Sequence, residues 1–221
     1  MTRRLQVAAL GGGHGLYASL QALQHVTDGI TAVVTVADDG GSSGRLREEF
    51  DILPPGDLRM ALAALCSTTD WGLQWRDALQ HRFPGDGPLG GHALGNLIIA
   101  SLWDLLGDPV AGLDLVGRLL GARGRVLPMA IEPVRIGGTV RGDDPERPDE
   151  VEQVVGQVRL ATSPGQVLGV HLDPDPPAAC AEAVQAIYDA DWVILGPGSW
   201  FTSVMPHLLV PELREALVHT R

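Results

Sequence analysis

Short apolar runs alternate along this chain with apolar residues at helical spacing, and several of the runs empty directly into glycine. Residues 5–10 (LQVAAL) meet Gly11-Gly12-Gly13-His14-Gly15, after which Leu16, Leu20 and Leu23 recur at intervals of three and four. That pattern predicts strand, glycine loop, helix. Residues 30–36 (ITAVVTV) are mostly β-branched and apolar at successive positions, as a parallel strand covered on both faces must be. They lead into Asp38-Asp39-Gly40-Gly41-Ser42-Ser43-Gly44 and then Arg45-Leu46-Arg47-Glu48-Glu49.

Pro54-Pro55-Gly56 interrupts the chain, and Asp57 is predicted to N-cap a helix that runs to Cys66. A second helix is expected over 71–81, and residues 83–91 (FPGDGPLGG) read as a loop. From His92 onward Leu94, Leu97, Ile98, Leu102 and Leu105 form a helical stripe, repeated over 110–120 after Asp108-Pro109. Residues 126–172 change character: short β-rich pieces (VRIGGTV, VGQVRLA, QVLGVHL) surround a charged, solvated loop at 141–152. Helix returns over 178–189. A buried strand is expected at 192–195 (WVIL), then a third glycine loop, Gly196-Pro197-Gly198-Ser199, and a last helix over 211–220. No internal repeat is present. Strands alternating with helices give a single α/β domain over 1–221, with a doubly wound, mostly parallel sheet, helices on both faces and a small β-rich insertion. Ligands in such sheets bind beyond the carboxyl ends of the strands, so the three glycine loops are expected to line one crevice.

Composition narrows the chemistry. The 16 cationic side chains are all arginine, so no P-loop lysine, Schiff-base amine or kinase-type lysine exists. A net charge of −11 argues against nucleic acid and anionic membrane as partners, although local arginines can still hold phosphate. Cys66 and Cys180 lack any CxxC spacing and are expected to be buried and reduced. No apolar run is long enough for a membrane span. The start, Thr2-Arg3-Arg4-Leu5, is similar to a twin-arginine export signal, but the apolar run after it is short for a signal core, and a cytoplasmic protein is expected.

Gly13-His14-Gly15-Leu16-Tyr17-Ala18 fits GxGxxA between strand and helix, with Asp38 ending the next strand where a ribose-binding acid would stand. Helix N-terminal amides bind phosphate in that arrangement; the alternative is a ligand-free tight turn. Two acids running into GGSSG suggest a second anion site, with a divalent metal, Mg2+, bridging Asp38 or Asp39 to diphosphate; an Asp/Ser capping turn is the alternative. Residues 40–44 also match GxSxG, but a hydrolase elbow needs its serine at the strand-to-helix turn, and the strand ends several residues earlier. His92 and Asn96, four apart at a helix start, are either ligand contacts or caps. The remaining histidines are assigned to surface or packing, and no HExxH or Cys/His cluster supports zinc.

Together GGGHGL from Gly11, VTVADDGGSSGRLR from Val34, LPPGDLRMALAAL from Leu53, HALGNL from His92, GRVLPM from Gly124 and LGPGSWFTS from Leu195 resemble the gluconeogenesis factor family, the YvcK branch of the CofD-like superfamily. The sister branch is 2-phospho-L-lactate transferase. The resemblance implies a cytoplasmic protein with a Rossmann-like fold that binds a UDP-sugar such as UDP-N-acetylglucosamine. It also implies a role in cell shape and cell-wall synthesis during gluconeogenic growth, without an assigned turnover, and leaves a homodimer open. Carried onto this chain, Gly11, Gly12, Gly13, His14 and Gly15 with Gly40, Gly41, Ser42, Ser43, Gly44 and Arg45 would hold the diphosphate. Asp38 and Asp39 would bind metal or ribose; Asp57, Arg59, His92 and Asn96 would line the crevice; Gly196, Gly198, Ser199, Thr202 and Ser203 would close its far side. Two alternatives stand beside it: a Mg2+-dependent transferase of the phospholactate type, of the kind used in coenzyme F420 biosynthesis, and an NAD-linked dehydrogenase. His14 departs from the threonine of many members, and the transferase branch carries NTGDD without GGSSGRLR. Family members are longer, so the chain is expected to lack their C-terminal part.

Overall fold

The computed structural model describes residues 4–220; the Thr2-Arg3 part of the twin-arginine start lies outside them. A four-stranded parallel sheet forms the centre, in the order β3 (Arg125–Pro128), β2 (Gly29–Val34), β1 (Gln6–Gly11), β7 (Trp192–Leu195). Residues 7–11 of β1 are all buried. Successive strand residues point to opposite faces, so both faces of this strand are covered. Helices α1 (Gly13–Leu23) and α3 (Pro55–Leu65) pack on each other and against β2, while α8 (Ala181–Asp189) packs on the sheet together with α10 (Pro211–His219). Leu10, Leu16, Leu20, Leu58, Leu62, Leu65, Leu127 and Met129 fill the core. The chain steps from β1 to β2 to β3 in one direction and returns to β7 on the other side of β1. That reversal places the switch point between β1 and β7, beside the first glycine turn.

The middle third is helical, with α2 (Gly41–Phe50), α4 (Asp70–Gln80), α5 (Leu94–Leu106) and α6 (Pro109–Leu120). Asp108 caps α6, its Oδ1 accepting from Val110 N and Ala111 N at 2.8 and 3.1 Å. A second sheet, antiparallel in the order β5 (Val151–Val155), β4 (Arg135–Arg141), β6 (Gln166–Asp173), forms the expected insertion. Within it α7 (Gln157–Thr162) lies where a β-rich piece, VGQVRLA, was expected. Gly156 at φ +108° ends the strand and turns the chain into that helix.

Three further expectations change. The GGSSG run is not an open loop: Gly40 is the N-cap of α2, and residues 41–44 are its first turn. Asp57 is not an N-cap, because α3 begins at Pro55, where the missing N–H costs nothing and φ is already helical. Its carboxylate instead lies in the first turn of α3. The strand at 192–195 is an edge strand, with Trp192 53% and Leu195 45% exposed, rather than a buried one. Cys66 and Cys180 are free thiols and buried, as expected. No described helix is long and apolar enough to cross a membrane.

Candidate functional site

The carboxyl ends of β1, β2 and β7 deliver three turns to one rim. Thr35 N donates to Gly11 O at 2.9 Å, and Gly196 N donates to Leu10 O at 3.0 Å, so the turns after β2 and β7 both flank the one after β1. Gly12 is the N-cap of α1, and Gly13 takes φ +57°, a left-handed value that favours glycine. A Cβ on Gly15 would stand 2.0 Å from Pro197 O, so the first and third turns are in direct backbone contact. A Cβ on Gly12 would lie 2.5 Å from Asp57 Oδ2 and from Thr35 Cγ2. The glycines here serve close approach between segments: the Asp57 carboxylate comes up to Gly12 and accepts from the Gly13 N–H, and the glycines add no side chain of their own beside the other amides at the start of α1.

Asp38 holds the second turn, its Oδ1 accepting from Gly40 N at 3.0 Å. Ser43 Oγ accepts from Gly56 N at 3.0 Å, and a Cβ on Gly56 would be 3.1 Å from Asp38 Oδ2. Asp38 and Asp57 therefore face the same space. Burial, then the charge of Asp38, pushes the Asp57 carboxyl up from 3.8 to about 7, against the Gly13 N–H and Arg59, which pull it down. Burial and then Arg82 bring Arg59 down to about 10, while Asp57 and Asp38 oppose that fall. A carboxyl raised in this way, with a second carboxyl close by, can share a cation with it or donate a proton to a phosphate oxygen.

Asp39 has another role. Its Oδ2 accepts from Gln157 N at 2.9 Å and its Oδ1 from Val158 N at 3.0 Å, so it caps α7 and ties the insertion to the second turn. Both oxygens of Asp39, one half of the expected metal pair Asp38/Asp39, are thus engaged with α7, and the carboxylate whose charge acts on Asp57 is Asp38. Among the described residues no group of three or more His, Cys, Asp or Glu side chains converges on a metal position. Two carboxylates with phosphate oxygens completing the shell suit Mg2+, which keeps few protein ligands.

The family model for CofD, described as 2-phospho-L-lactate transferase CofD, matches residues 7–221. The chain belongs to the CofD family. The Bacillus subtilis gluconeogenesis factor is 39% identical over 218 residues, covering 99% of this chain and 65% of that protein. A Mycobacterium tuberculosis relative that carries the gluconeogenesis factor name is 57% identical over 211 residues, 96% of this chain and 61% of its own length. A crystal structure of a UPF0052 family protein from Bacillus halodurans superposes with a TM-score of 0.89 at 38% identity, covering 100% of this chain and 67% of that one. The chain thus spans about three fifths of the length of the curated relatives first matched.

In this CofD-family chain the remaining expected residues divide into a wall and a rim. Ser42 Oγ accepts from Asn96 Nδ2 at 3.0 Å and Ala93 N at 3.4 Å, and lies 3.0 Å from His92 Nδ1. Arg59 Nε donates to Asn96 Oδ1 at 2.9 Å. With its acceptor sites used, the Ser42 hydroxyl donates to His92, so the GxSxG serine is a buried junction between α2 and α5 and not a hydrolase elbow. His92 and Asn96 therefore brace the start of α5 against α2 and α3, and neither side chain caps α5. Burial, then Arg45, holds His92 below its ordinary value, in keeping with a neutral ring. Arg45 leaves the crevice, its Nη2 donating to Gly90 O at 2.7 Å in the 83–91 loop. Ser199 Oγ accepts from Thr202 N at 3.4 Å, and Ser203 lies against Gly198, so the third group of residues does gather at one turn. Thr35 and Arg47 were missed. Thr35 interrupts an apolar run and lies against Gly12. Arg47 follows Ser43 and Leu46 on the buried side of α2, at spacings of four and one.

Proposed function

We propose that this chain binds the diphosphate of a UDP-sugar at the carboxyl ends of β1, β2 and β7, and acts as the nucleotide-binding part of a gluconeogenesis factor. One observation carries the reading: the Gly12-Gly13 turn at the N-terminus of α1 meets the Gly196–Ser199 turn on one side and the Asp38/Asp57 pair on the other. The amides at the start of α1 that Asp57 does not engage would supply the anion site that an all-arginine, acidic chain needs. The uridine, the sugar, the cytoplasmic location and the role in cell shape and cell-wall synthesis follow from the likeness to gluconeogenesis factors. Gly11, Gly12, Gly13, His14 and Gly15 would hold the diphosphate, with Gly40, Gly41, Ser43 and Gly44 beside it. Gly196, Gly198, Ser199, Thr202 and Ser203 would close the opposite wall.

A second reading has its own support. The Asp38/Asp57 pair is the arrangement a phospholactate transferase would use to hold Mg2+, and the matching family model is described by that activity. The ion would neutralise charge on the departing phosphate. Asp57, ionised by the nearby cation, and Asp38 would orient that phosphate.

Titration calorimetry with UDP-N-acetylglucosamine, with GDP plus Mg2+, and with NAD separates the readings. The expected result is heat with the UDP-sugar, no product on long incubation, and none with NAD. Binding of GDP plus Mg2+ without UDP-sugar binding establishes the second reading instead. Binding of NAD alone overturns both.

A further inference from the structure

A cavity of about 360 Å3 lies between α2 and the antiparallel sheet, adjoining the crevice at Asp39 and Gly44. Arg47 of α2 and Arg135 of β4 border it, with Glu48, Asp51 and Asp173 also on its wall. Arg47 is only 8% exposed, and its Nη1 is buried with no hydrogen-bond partner. Among the described residues it forms neither a hydrogen bond nor an ion pair. Buried guanidinium groups are ordinarily paired, because an unpaired charge out of water is costly. Here the nearest like charge makes matters worse: after burial, Arg135 is the next cause lowering the Arg47 pKa, against Asp39, Asp51 and Asp38. Asp39 already accepts two backbone N–H groups of α7. The carboxylates of Glu48, Asp51 and Asp173 remain free of hydrogen-bond donors among the described residues.

A buried guanidinium without a partner, beside a second one at the exposed Arg135, calls for an oxyanion, and the exposed carboxylates of Glu48, Asp51 and Asp173 on the same wall can accept from hydroxyls. The volume is at the small end of ligand pockets, too small for a dinucleotide. We propose that this cavity binds a small hydroxyl-bearing oxyanion, with its phosphate or carboxylate on Arg47 and Arg135 and its hydroxyls donating to Glu48, Asp51 and Asp173. The site does not rest on the nucleotide reading: its two arginines are not among the crevice residues, although Gly44 borders both.

Thermal-shift and calorimetric titrations of the whole chain with inorganic phosphate, glycerol 3-phosphate and glycerate test it. Wild-type protein should be stabilised by glycerol 3-phosphate or glycerate, with tighter binding than inorganic phosphate. Preference between the two assigns phosphate or carboxylate. Arg47→Met should melt no lower than wild type in probe-free buffer, since it replaces an unpaired buried charge by an apolar chain, and should weaken probe binding at least tenfold. Arg135→Gln, at an exposed position, should weaken binding likewise and decides the matter if Arg47→Met does not fold. No wild-type response to any probe, or equal responses in wild type and both variants, overturns the proposal. Equal affinity for inorganic phosphate overturns the hydroxyl contacts.

Discussion

The crevice and the cavity adjoin at Asp39 and Gly44, and they are built from different material. Around the crevice the chain uses backbone: glycine turns so close that Gly15 has no room for a Cβ beside Pro197, and amides at the start of α1. Around the cavity it uses side chains, two arginines and several carboxylates. A backbone donor set is fixed once the strands pair and stays in place without a ligand. A side-chain set is stable only when its charges find partners, so a site of that kind shows itself by what is left unpaired.

The largest effect expected to break this comparison is at the backbone site. Gly15→Val drives a side chain into the Pro197 carbonyl and should cost at least about 4 kcal/mol in chemical denaturation, together with nucleotide binding. Gly87→Ala, where nothing lies within 4 Å, is the matched control and should change stability little.

Next comes the charge of Asp57. Its carboxyl titrates near 3.8 when unfolded and near about 7 when folded. Between those values the folded state binds more protons, so stability should fall as pH rises through that window, by up to about 4 kcal/mol. Asp57→Asn should remove the slope and melt higher than wild type at pH 8, which thermal denaturation across pH reads directly. A flat wild-type profile would place Asp57 in water rather than against Asp38.

The smallest effect sharpens the boundary between the two regions. Asp39→Ala removes the cap on α7 and should cost about 1 kcal/mol, seen as faster amide exchange over residues 157–162. Affinity for UDP-N-acetylglucosamine should stay within about twofold, whereas Asp38→Ala should weaken it; equal losses in both variants would return Asp39 to the crevice.

Much of the fold was legible because it is local. The apolar run at 30–36 and the stripe from Leu94 carry their periodicity within a few residues, and the observed β2 and α5 lie there. WVIL read as a strand for the same reason, but its place at the sheet edge did not, since a strand does not encode how many neighbours it has. VGQVRLA misled because its β-branched residues outweighed a glycine that turns the chain into a helix held by Asp39. Within the GGSSG run, spacing does not tell that Ser42 turns inward, bonded to Ala93 and Asn96, because those partners lie more than fifty positions away.

The sequence by itself determined the strand-turn-helix alternation, the glycine turns at the strand ends, the exclusion of lysine chemistry and the family. Tertiary structure decided where two adjacent carboxylates go. Asp39 is drawn to amides 118 and 119 positions away, while Asp38 is left facing Asp57. It also decided that Arg47 is buried without a partner. Such outcomes depend on what the rest of the chain places around a charge, and on the cost of removing that charge from water, neither of which local spacing records.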